Sequence, residues 1–190
     1  PGIADDPGIA DDQAVAAAKA ASRTTLDLDR RKVVIEAVRR ATLEQAEMLA
    51  RLAVEETGLG RVDDKTTKNR LCSTKTPGPE DLEVQAVSGA SGMTITEFAP
   101  FGVVGSISPV TNPAATVINN AISIISAGNA VVFNAHPSAR RVSNTTVRLM
   151  SRSISKSRNL RTETAIDTGI ALRLTTSTTT NTVSATNGGS

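Results

Sequence analysis

The chain has 190 residues, of which 39% are hydrophobic and 2% aromatic, with 21 Lys and Arg against 19 Asp and Glu. This length allows one sizeable core, and aliphatic side chains must fill it because the sequence has neither Trp nor Tyr. A charge balance this even does not favour nucleic acid or an anionic membrane as the main partner. We therefore expect neither of them as a partner.

Charge is distributed unevenly along the chain. Residues 1–100 contain 13 basic and 17 acidic side chains, whereas residues 101–190 contain 8 and 2, so the second part would attract phosphate-bearing ligands. The single cysteine, Cys72, excludes an internal disulfide and fits a reducing compartment. The sequence contains no run of about 18 apolar residues, which would predict a membrane span, and its first residues lack a signal-peptide pattern. We expect a cytoplasmic protein.

The chain opens on a repeated hexapeptide, followed by two predicted helices. PGIADD occurs twice in residues 1–12, which we interpret as a tail because two short copies do not make a repeat array. Residues 13–22 are rich in alanine and have high helix propensity. In the next segment, Val34 and Val38 recur at helical spacing, which predicts an amphipathic helix.

Two more helices and a connector are predicted before residue 83. Thr42 and Gln45 form a capping-box pattern, which predicts the start of a third helix, and Gly58 predicts its end. The segment DDKTTKNRLC predicts a fourth, more polar helix. The prolines and glycine of TPGPEDL then mark a connector.

Residues 83–98 are short and favour β structure. Met93 and Ile95 alternate with Thr94 and Thr96, as on the two faces of a strand. We expect an edge strand or a protruding arm here.

A strand–helix–strand unit follows in the second half of the chain. VVGSI at 103–107 and AVVF at 130–133 are apolar runs typical of buried strands, and between them Pro113 opens a helical run that Gly128 closes. Such a unit almost always has parallel strands, and its ligands gather outside their carboxyl ends. The sequence therefore predicts an α/β fold, a parallel sheet with flanking helices.

A further helix is predicted from Ala139 to about Ser155, packing on the sheet through Val142, Val147 and Met150. Residues 151–190 are then dominated by Ser and Thr, and no packed core can be derived there.

Polar residues follow both predicted strands. Asn112 precedes Pro113, so it is placed to cap the helix, and its amide could also donate a hydrogen bond to a developing oxyanion. His136, the only histidine, lies in the loop after the second strand and precedes Pro137, which favours an extended conformation. Because the two strand ends are neighbours in a parallel unit, we expect both loops to face one cleft.

Several long motifs in order carry a resemblance. EETGLGRVDDKTTKNRL, TPGPEDL and APFGVVGSISPVTNPAATVINNAISIISAGNAVVFNAHPSA resemble the CoA-acylating branch of the aldehyde dehydrogenase superfamily, especially its propionaldehyde and acetaldehyde members. The resemblance extends from about residue 13 to residue 150. Near the end, ATNGGS is similar to the ATGGP loop of the family.

The resemblance implies a Rossmann-like NAD-binding domain, a catalytic domain and a β arm for oligomerisation. It also implies that a cysteine thiolate attacks a short-chain aldehyde, hydride passes to NAD, and coenzyme A removes the acyl group. Many such members work inside bacterial microcompartments. Because the nucleophilic cysteine of the family lies well downstream of the ATGGP loop, we expect this chain alone to be inactive.

The resemblance also suggests domains and site residues. We divide the chain into a tail (1–12), a helical part of the nucleotide-binding domain (13–82), a β arm or connector (83–98) and a βαβ nucleotide-binding core (99–190). The candidate catalytic residues are Thr111, where non-acylating relatives have the oxyanion-holding Asn, and Asn112. The candidate nucleotide-binding residues are Ser108, Pro109, Asn134, His136, Pro137, Gly188 and Gly189. We expect no metal site, because no His, Cys or carboxylate cluster surrounds His136.

Cys72 has two interpretations. Lys68, Arg70 and Lys75 could lower the pKa of its thiol, yet no base is near in the sequence, and the resemblance puts this segment far from the catalytic cysteine. We expect a structural thiol.

Two alternatives to the acylating activity stay open at this point: a non-catalytic assembly or nucleotide-binding module, and a non-acylating aldehyde dehydrogenase.

Overall fold

The computed structural model of the chain describes residues 12, 15–20, 26–159 and 172–175. Residues 15–20 are helical. The longer helices are α1 (Leu28–Glu44), α2 (Ala46–Thr57), α3 (Val62–Lys75), α4 (Pro113–Ser126) and α5 (Arg140–Asn159); the strands are β1 (Gln85–Gly89), β2 (Gly92–Thr96), β3 (Val103–Ser108), β4 (Ala130–Ala135) and β5 (Leu172–Thr175). Most of the proposed tail, and Gly188 with Gly189, lie outside the described residues.

Helices α1 and α2 are separated by Gln45 alone. Asp27 caps α1, because its Oδ1 accepts a hydrogen bond of 2.8 Å from the backbone N–H of Arg30. The predicted capping box is wrong: Thr42 lies inside α1, and its hydroxyl donates to the backbone oxygen of Val38 at 2.9 Å. Gly58 ends α2 in the left-handed conformation, at φ 67°, as predicted.

Helix α3 is the polar helix that the sequence predicts, and its polarity extends to its buried side. Asn69 donates from Nδ2 to the backbone oxygen of Ala46 at 2.9 Å, and the Ser73 hydroxyl donates to the Thr42 hydroxyl at the same distance. The side chains of Asn69, Ser73 and Thr42 are buried. Their hydrogen bonds compensate for the loss of water, so a helix with little apolar surface still packs against α1 and α2.

Strands β1 and β2 form an antiparallel hairpin in which all ten residues are exposed. Ala86 pairs with Ile95 and Ser88 with Met93, so the two larger apolar side chains of β2 share one face of the hairpin. The predicted β structure is present, as a hairpin in a separate two-stranded sheet, and its role as an arm stays a prediction.

The second sheet has the order β3-β4-β5, and both neighbouring pairs are parallel. The register of β3 and β4 runs from Val103 opposite Ala130 to Ser108 opposite Ala135, so the two strands end side by side. This confirms the βαβ unit and the adjacency of its strand ends. Strand β5 falls in the Ser- and Thr-rich segment, where the sequence predicts no strand.

The core lies mainly between this sheet and the helices. Val131 and Phe133 of β4 join α1, α2, α4 and α5 in one apolar cluster, which also contains Val142, Val147 and Met150, as predicted for α5. On the other face of the sheet, Ala18 packs on Ala130 and Val132. Alternate residues of β4 therefore serve two layers, as in an α/β fold with helices on both faces of the sheet. Within the described residues, no helix is long and apolar enough to cross a lipid bilayer.

Candidate functional site

The first exit from the sheet, residues 109–112, leads from β3 into α4. Asn112 occupies the N-cap position and Pro113 the first helical position, and the backbone N–H of Thr116 donates to the Asn112 carbonyl at 3.0 Å. The prediction that Asn112 occupies the N-cap position is confirmed. Its side chain makes no capping hydrogen bond, so the expected side-chain cap is wrong. The amide is therefore free of the role that Asn ordinarily plays at a helix start.

Two lysines of α3 hold this exit. Nζ of Lys65 donates to the backbone oxygen of Thr111 at 2.7 Å, and Nζ of Lys68 donates to Oδ1 of Asn112 at 3.3 Å. Lys65 is buried. Burial lowers the pKa of Lys65, and repulsion from the positive charge of Lys68 lowers it further. The site is thus fixed by cations from a helix that is distant in sequence.

A small cleft, with a volume of about 10 Å³, lies beside this exit, between α2, α3 and the first turn of α4. Its lining residues are Ala53, Lys65, Lys68, Asn69, Asn112, Pro113, Ala114 and Ala115. The lining combines basic and amide side chains with small apolar ones, and His136 does not belong to it. The shared cleft for Asn112 and His136 thus stays a prediction, whereas the adjacency of the strands that lead to them is confirmed.

The second exit from the sheet follows the end of β4 at Ala135 and continues through His136 and Pro137. Both of these residues are exposed, as is Asn134, the residue before Ala135 in the strand. The backbone of His136 is extended, at φ −57° and ψ 138°, as its position before proline predicts. Nδ1 of His136 accepts a hydrogen bond of 3.1 Å from the backbone N–H of Ser138. With Nδ1 as the acceptor, the neutral ring carries its proton on Nε2, and the residue itself is exposed.

Just beyond the second exit, an acidic residue of α2 caps the start of α5. The Glu56 carboxylate accepts from the backbone N–H groups of Arg141 and Val142 at 2.7 and 2.8 Å. Neighbouring Glu55 forms an exposed ion pair with the Arg141 guanidinium at 3.3 Å. A carboxylate at the unpaired N–H groups of a helix start is stabilising, because it accepts hydrogen bonds from two donors and its negative charge interacts favourably with the positive end of the helix dipole. The sequence does not predict this cap.

The other predicted nucleotide-binding residues differ in how far their side chains are exposed. The Ser108 side chain is buried, and its Oγ has no hydrogen-bond partner among the described residues, whereas Pro109 is exposed. Only Pro109 therefore offers its side chain to a ligand from outside. Gly188 and Gly189 are not among the described residues.

Cys72 is half-buried, and it packs against the main core cluster. Burial raises the pKa of the Cys72 thiol, in contrast to the lowering that its basic neighbours suggested. A higher pKa leaves less thiolate at neutral pH, so the environment favours the structural role that we expect for this residue. In the described part of the chain, no group of three or more His, Cys, Asp or Glu side chains could hold a metal ion.

Lys65 and Lys68 lie at the site but are not predicted as site residues from the sequence. The signal that could have found them is the pair of lysines three residues apart in DDKTTKNRLC, on a helix whose few apolar residues cannot supply its buried side. The spacing places both lysines on one face of α3. It does not reveal that this face lies against the first exit.

Comparison with known proteins gives a consistent result. The family described as the aldehyde dehydrogenase family matches residues 9–184. An acetaldehyde dehydrogenase (acetylating) of Salmonella typhimurium is 51% identical over 139 residues, which are 73% of this chain and 30% of that protein. The chain thus spans about 30% of the length of this curated relative.

Solved structures match over most of the chain. A propionaldehyde dehydrogenase of Rhodopseudomonas palustris with bound propionyl-CoA has a TM-score of 0.78 and 39% identity, covering 86% of this chain and 35% of its own. A propionaldehyde dehydrogenase from the fucose utilisation bacterial microcompartment of Clostridium phytofermentans has a TM-score of 0.76 and 42% identity, covering 86% and 36%.

Proposed function

The chain belongs to the aldehyde dehydrogenase family, and from this membership we propose that it contributes to the NAD-dependent oxidation of a short-chain aldehyde to its acyl-CoA. In this reaction the aldehyde C–H bond breaks, a C–S bond to coenzyme A forms, two electrons leave as hydride, and one proton is released. The relatives named for acetaldehyde and propionaldehyde support the substrate class. Because the chain spans about 30% of its curated relative, the activity is proposed for the whole protein of which it is a part.

The observation that carries the proposal is the position of Asn112. It lies at the carboxyl end of a parallel strand, lines a cleft, and does not use its side chain to cap α4. Oxidation through a thioester builds negative charge on the former carbonyl oxygen of the aldehyde, and a fixed amide N–H stabilises such charge. We assign Asn112 as that donor, in preference to Thr111, because Asn112 lines the cleft and Thr111 is not among its lining residues. Cys72 is not assigned as nucleophile.

The second exit fits a nucleotide. Asn134 and His136 offer polar groups to solvent at the end of β4, and Ile107, opposite Asn134 in the sheet register, is 82% exposed and offers apolar surface beside them. Nucleotide sites combine apolar contact surface with a few donors of this kind. NAD, when bound, supplies the acceptor for the hydride. Asn134, His136 and Pro109 would hold it, together with Pro137 and the backbone at Ser108.

The experiment uses a hybrid enzyme in which the aligned 139-residue segment of this chain replaces its counterpart in the Salmonella typhimurium relative. With acetaldehyde or propionaldehyde, we expect NADH and acyl-CoA to form together, and the isolated chain to bind NAD without turnover. Formation of the free acid without coenzyme A would favour a non-acylating enzyme instead. A folded hybrid that binds NAD but has no turnover would favour a nucleotide-binding or assembly module.

We also propose that the β1–β2 hairpin contacts a second copy of the chain. Met93 and Ile95, which share one face of the hairpin, are 66% and 59% exposed, and the hairpin forms a sheet of its own. Burying these side chains against another copy would remove apolar surface from water. Light scattering of the purified chain is expected to give a dimer or a larger oligomer, and a monomer at high concentration would contradict this proposal.

For localisation, we propose the cytoplasm, inside a bacterial microcompartment. The Clostridium phytofermentans relative is named for such a compartment. Sedimentation of the protein together with compartment shells from cell extracts is the expected result. Recovery in the shell-free fraction alone would contradict it.

A further inference from the structure

The first exit is held by contacts that span a long stretch of sequence. Lys65 and Lys68 lie 46 and 44 residues before their partners, Thr111 and Asn112, and both side chains cross from α3 to reach them. No ion pair within the described part of the chain includes either lysine. Their hydrogen bonds are therefore made to a backbone carbonyl and an amide carbonyl, although the charge of Lys68 also interacts favourably with the nearby Asp64 carboxylate.

Lys68 determines which end of the Asn112 amide is available. An Asn at an N-cap ordinarily turns Oδ1 toward the backbone N–H groups of its own helix. Here Oδ1 accepts from Lys68 instead, and the capping bond is absent. The two N–H groups on Nδ2 make no hydrogen bond among those that the structure describes, so they remain as donors beside the cleft. A cation on Oδ1 also polarises the amide and strengthens these donors.

Lys65 holds the backbone of Thr111, the residue directly before Asn112. Its Nζ lies 2.7 Å from the Thr111 carbonyl, and Lys65 is 7% exposed. Burying a cation with no carboxylate partner costs free energy. The cost is understandable where the geometry of the exit has to be held closely, because small displacements of a reacting group change rates strongly.

We propose that Lys65 and Lys68 are positioning residues: Lys65 anchors the exit at Thr111, and Lys68 holds the Asn112 carbonyl so that Nδ2 donates to the substrate oxygen. This inference rests on the proposed function, in which Asn112 is the donor. It goes beyond that function by assigning α3, which otherwise serves only as packing, to the control of the amide orientation.

The first test uses the chain itself and nuclear magnetic resonance. The Lys68→Met variant is expected to shift the side-chain amide resonances of Asn112, and Lys68→Arg to restore them because it keeps the donor. Lys75→Met, a change at an exposed lysine at the end of the same helix, is the matched control and should leave them unchanged. Unchanged Asn112 resonances in Lys68→Met would overturn the proposal.

The second test uses the hybrid enzyme and a double-mutant cycle. Lys68→Met is expected to lower kcat roughly tenfold with little change in the KM for NAD, and Lys68→Arg to recover most of it. In an Asn112→Ala background the same change should have no further effect on kcat, because the lysine acts through the amide. An equal loss in both backgrounds would show a merely structural role and overturn the inference. If Asn112→Ala by itself leaves kcat unchanged, the proposed function of Asn112 fails instead.

Discussion

The two exits from the parallel sheet begin side by side, yet they are held in different ways. Ser108 and Ala135 are opposite each other at the ends of β3 and β4. Beyond them, the first exit is fixed at Thr111 and Asn112 by lysines of a distant helix, whereas the hydrogen bond of His136 reaches only two residues along its own loop. One exit is built by tertiary structure and the other by local structure.

This difference fits two kinds of work. A group that stabilises a transition state has to be in place before the reaction, since moving it into place would add to the barrier. A loop that binds and releases a nucleotide needs exposed donors, and it tolerates adjustment. The same sheet edge thus combines a fixed amide, which we propose as the donor to the substrate, with an exposed loop that we assign to the nucleotide.

The largest effect is expected at the fixed exit. Asn112→Ala in the hybrid enzyme should lower kcat by about 10²- to 10³-fold, because one donor to the developing oxyanion is lost. The KM for NAD should stay nearly unchanged. Steady-state kinetics measure both quantities. If kcat stays within roughly threefold of the parent while the KM for the aldehyde rises, Asn112 contributes to binding of the substrate in the ground state rather than to stabilisation of the transition state.

Stability provides the control for this substitution. An Asn that caps a helix costs about 1 kcal/mol when replaced by Ala, but Asn112 makes no capping bond. The free energy of unfolding of the isolated chain, measured by urea denaturation, should therefore fall by less than this amount. A larger loss would show that the kinetic effect reflects a weakened fold.

A smaller effect is expected just beyond the local exit. Glu56→Ala should lower the free energy of unfolding by about 1–2 kcal/mol, because two N–H groups at the start of α5 lose their acceptor. Glu55→Ala is the matched control: it removes only an exposed ion pair and should cost about 0.5 kcal/mol or less. Urea denaturation of the two variants measures the difference. Equal losses would mean that the cap contributes nothing beyond surface charge.

The parts of the fold that follow from neighbouring residues could be predicted from the sequence. The βαβ unit is readable because Pro113 and Gly128 bound the helix and the strands are short apolar runs. The hairpin is readable from the alternation around Met93 and Ile95. Each of these signals lies within a few residues of the element that it predicts.

The errors and omissions involve partners that are distant in sequence. Thr42 resembles a cap, but its hydroxyl is buried and also accepts a hydrogen bond from Ser73, 31 residues later, which favours a place inside α1. The contacts of Lys68 and Glu56 span 44 and at least 85 residues. Spacing places such residues on a helix face and gives no information on what that face meets. The amide orientation of Asn112 could not be predicted for the same reason.

The smallest effect is expected at His136. His136→Ala removes the Nε2–H donor and should weaken NAD binding to the isolated chain by roughly three- to tenfold, the value of one exposed hydrogen bond. His136→Gln keeps a donor and should recover part of the affinity, as measured by titration calorimetry. In the hybrid enzyme the His136→Ala change should raise the KM for NAD and leave kcat nearly unaltered, opposite to Asn112→Ala. A fall in kcat as large as that of Asn112→Ala would mean that both exits act on the transition state, and the division of work between a fixed and a local exit would be wrong.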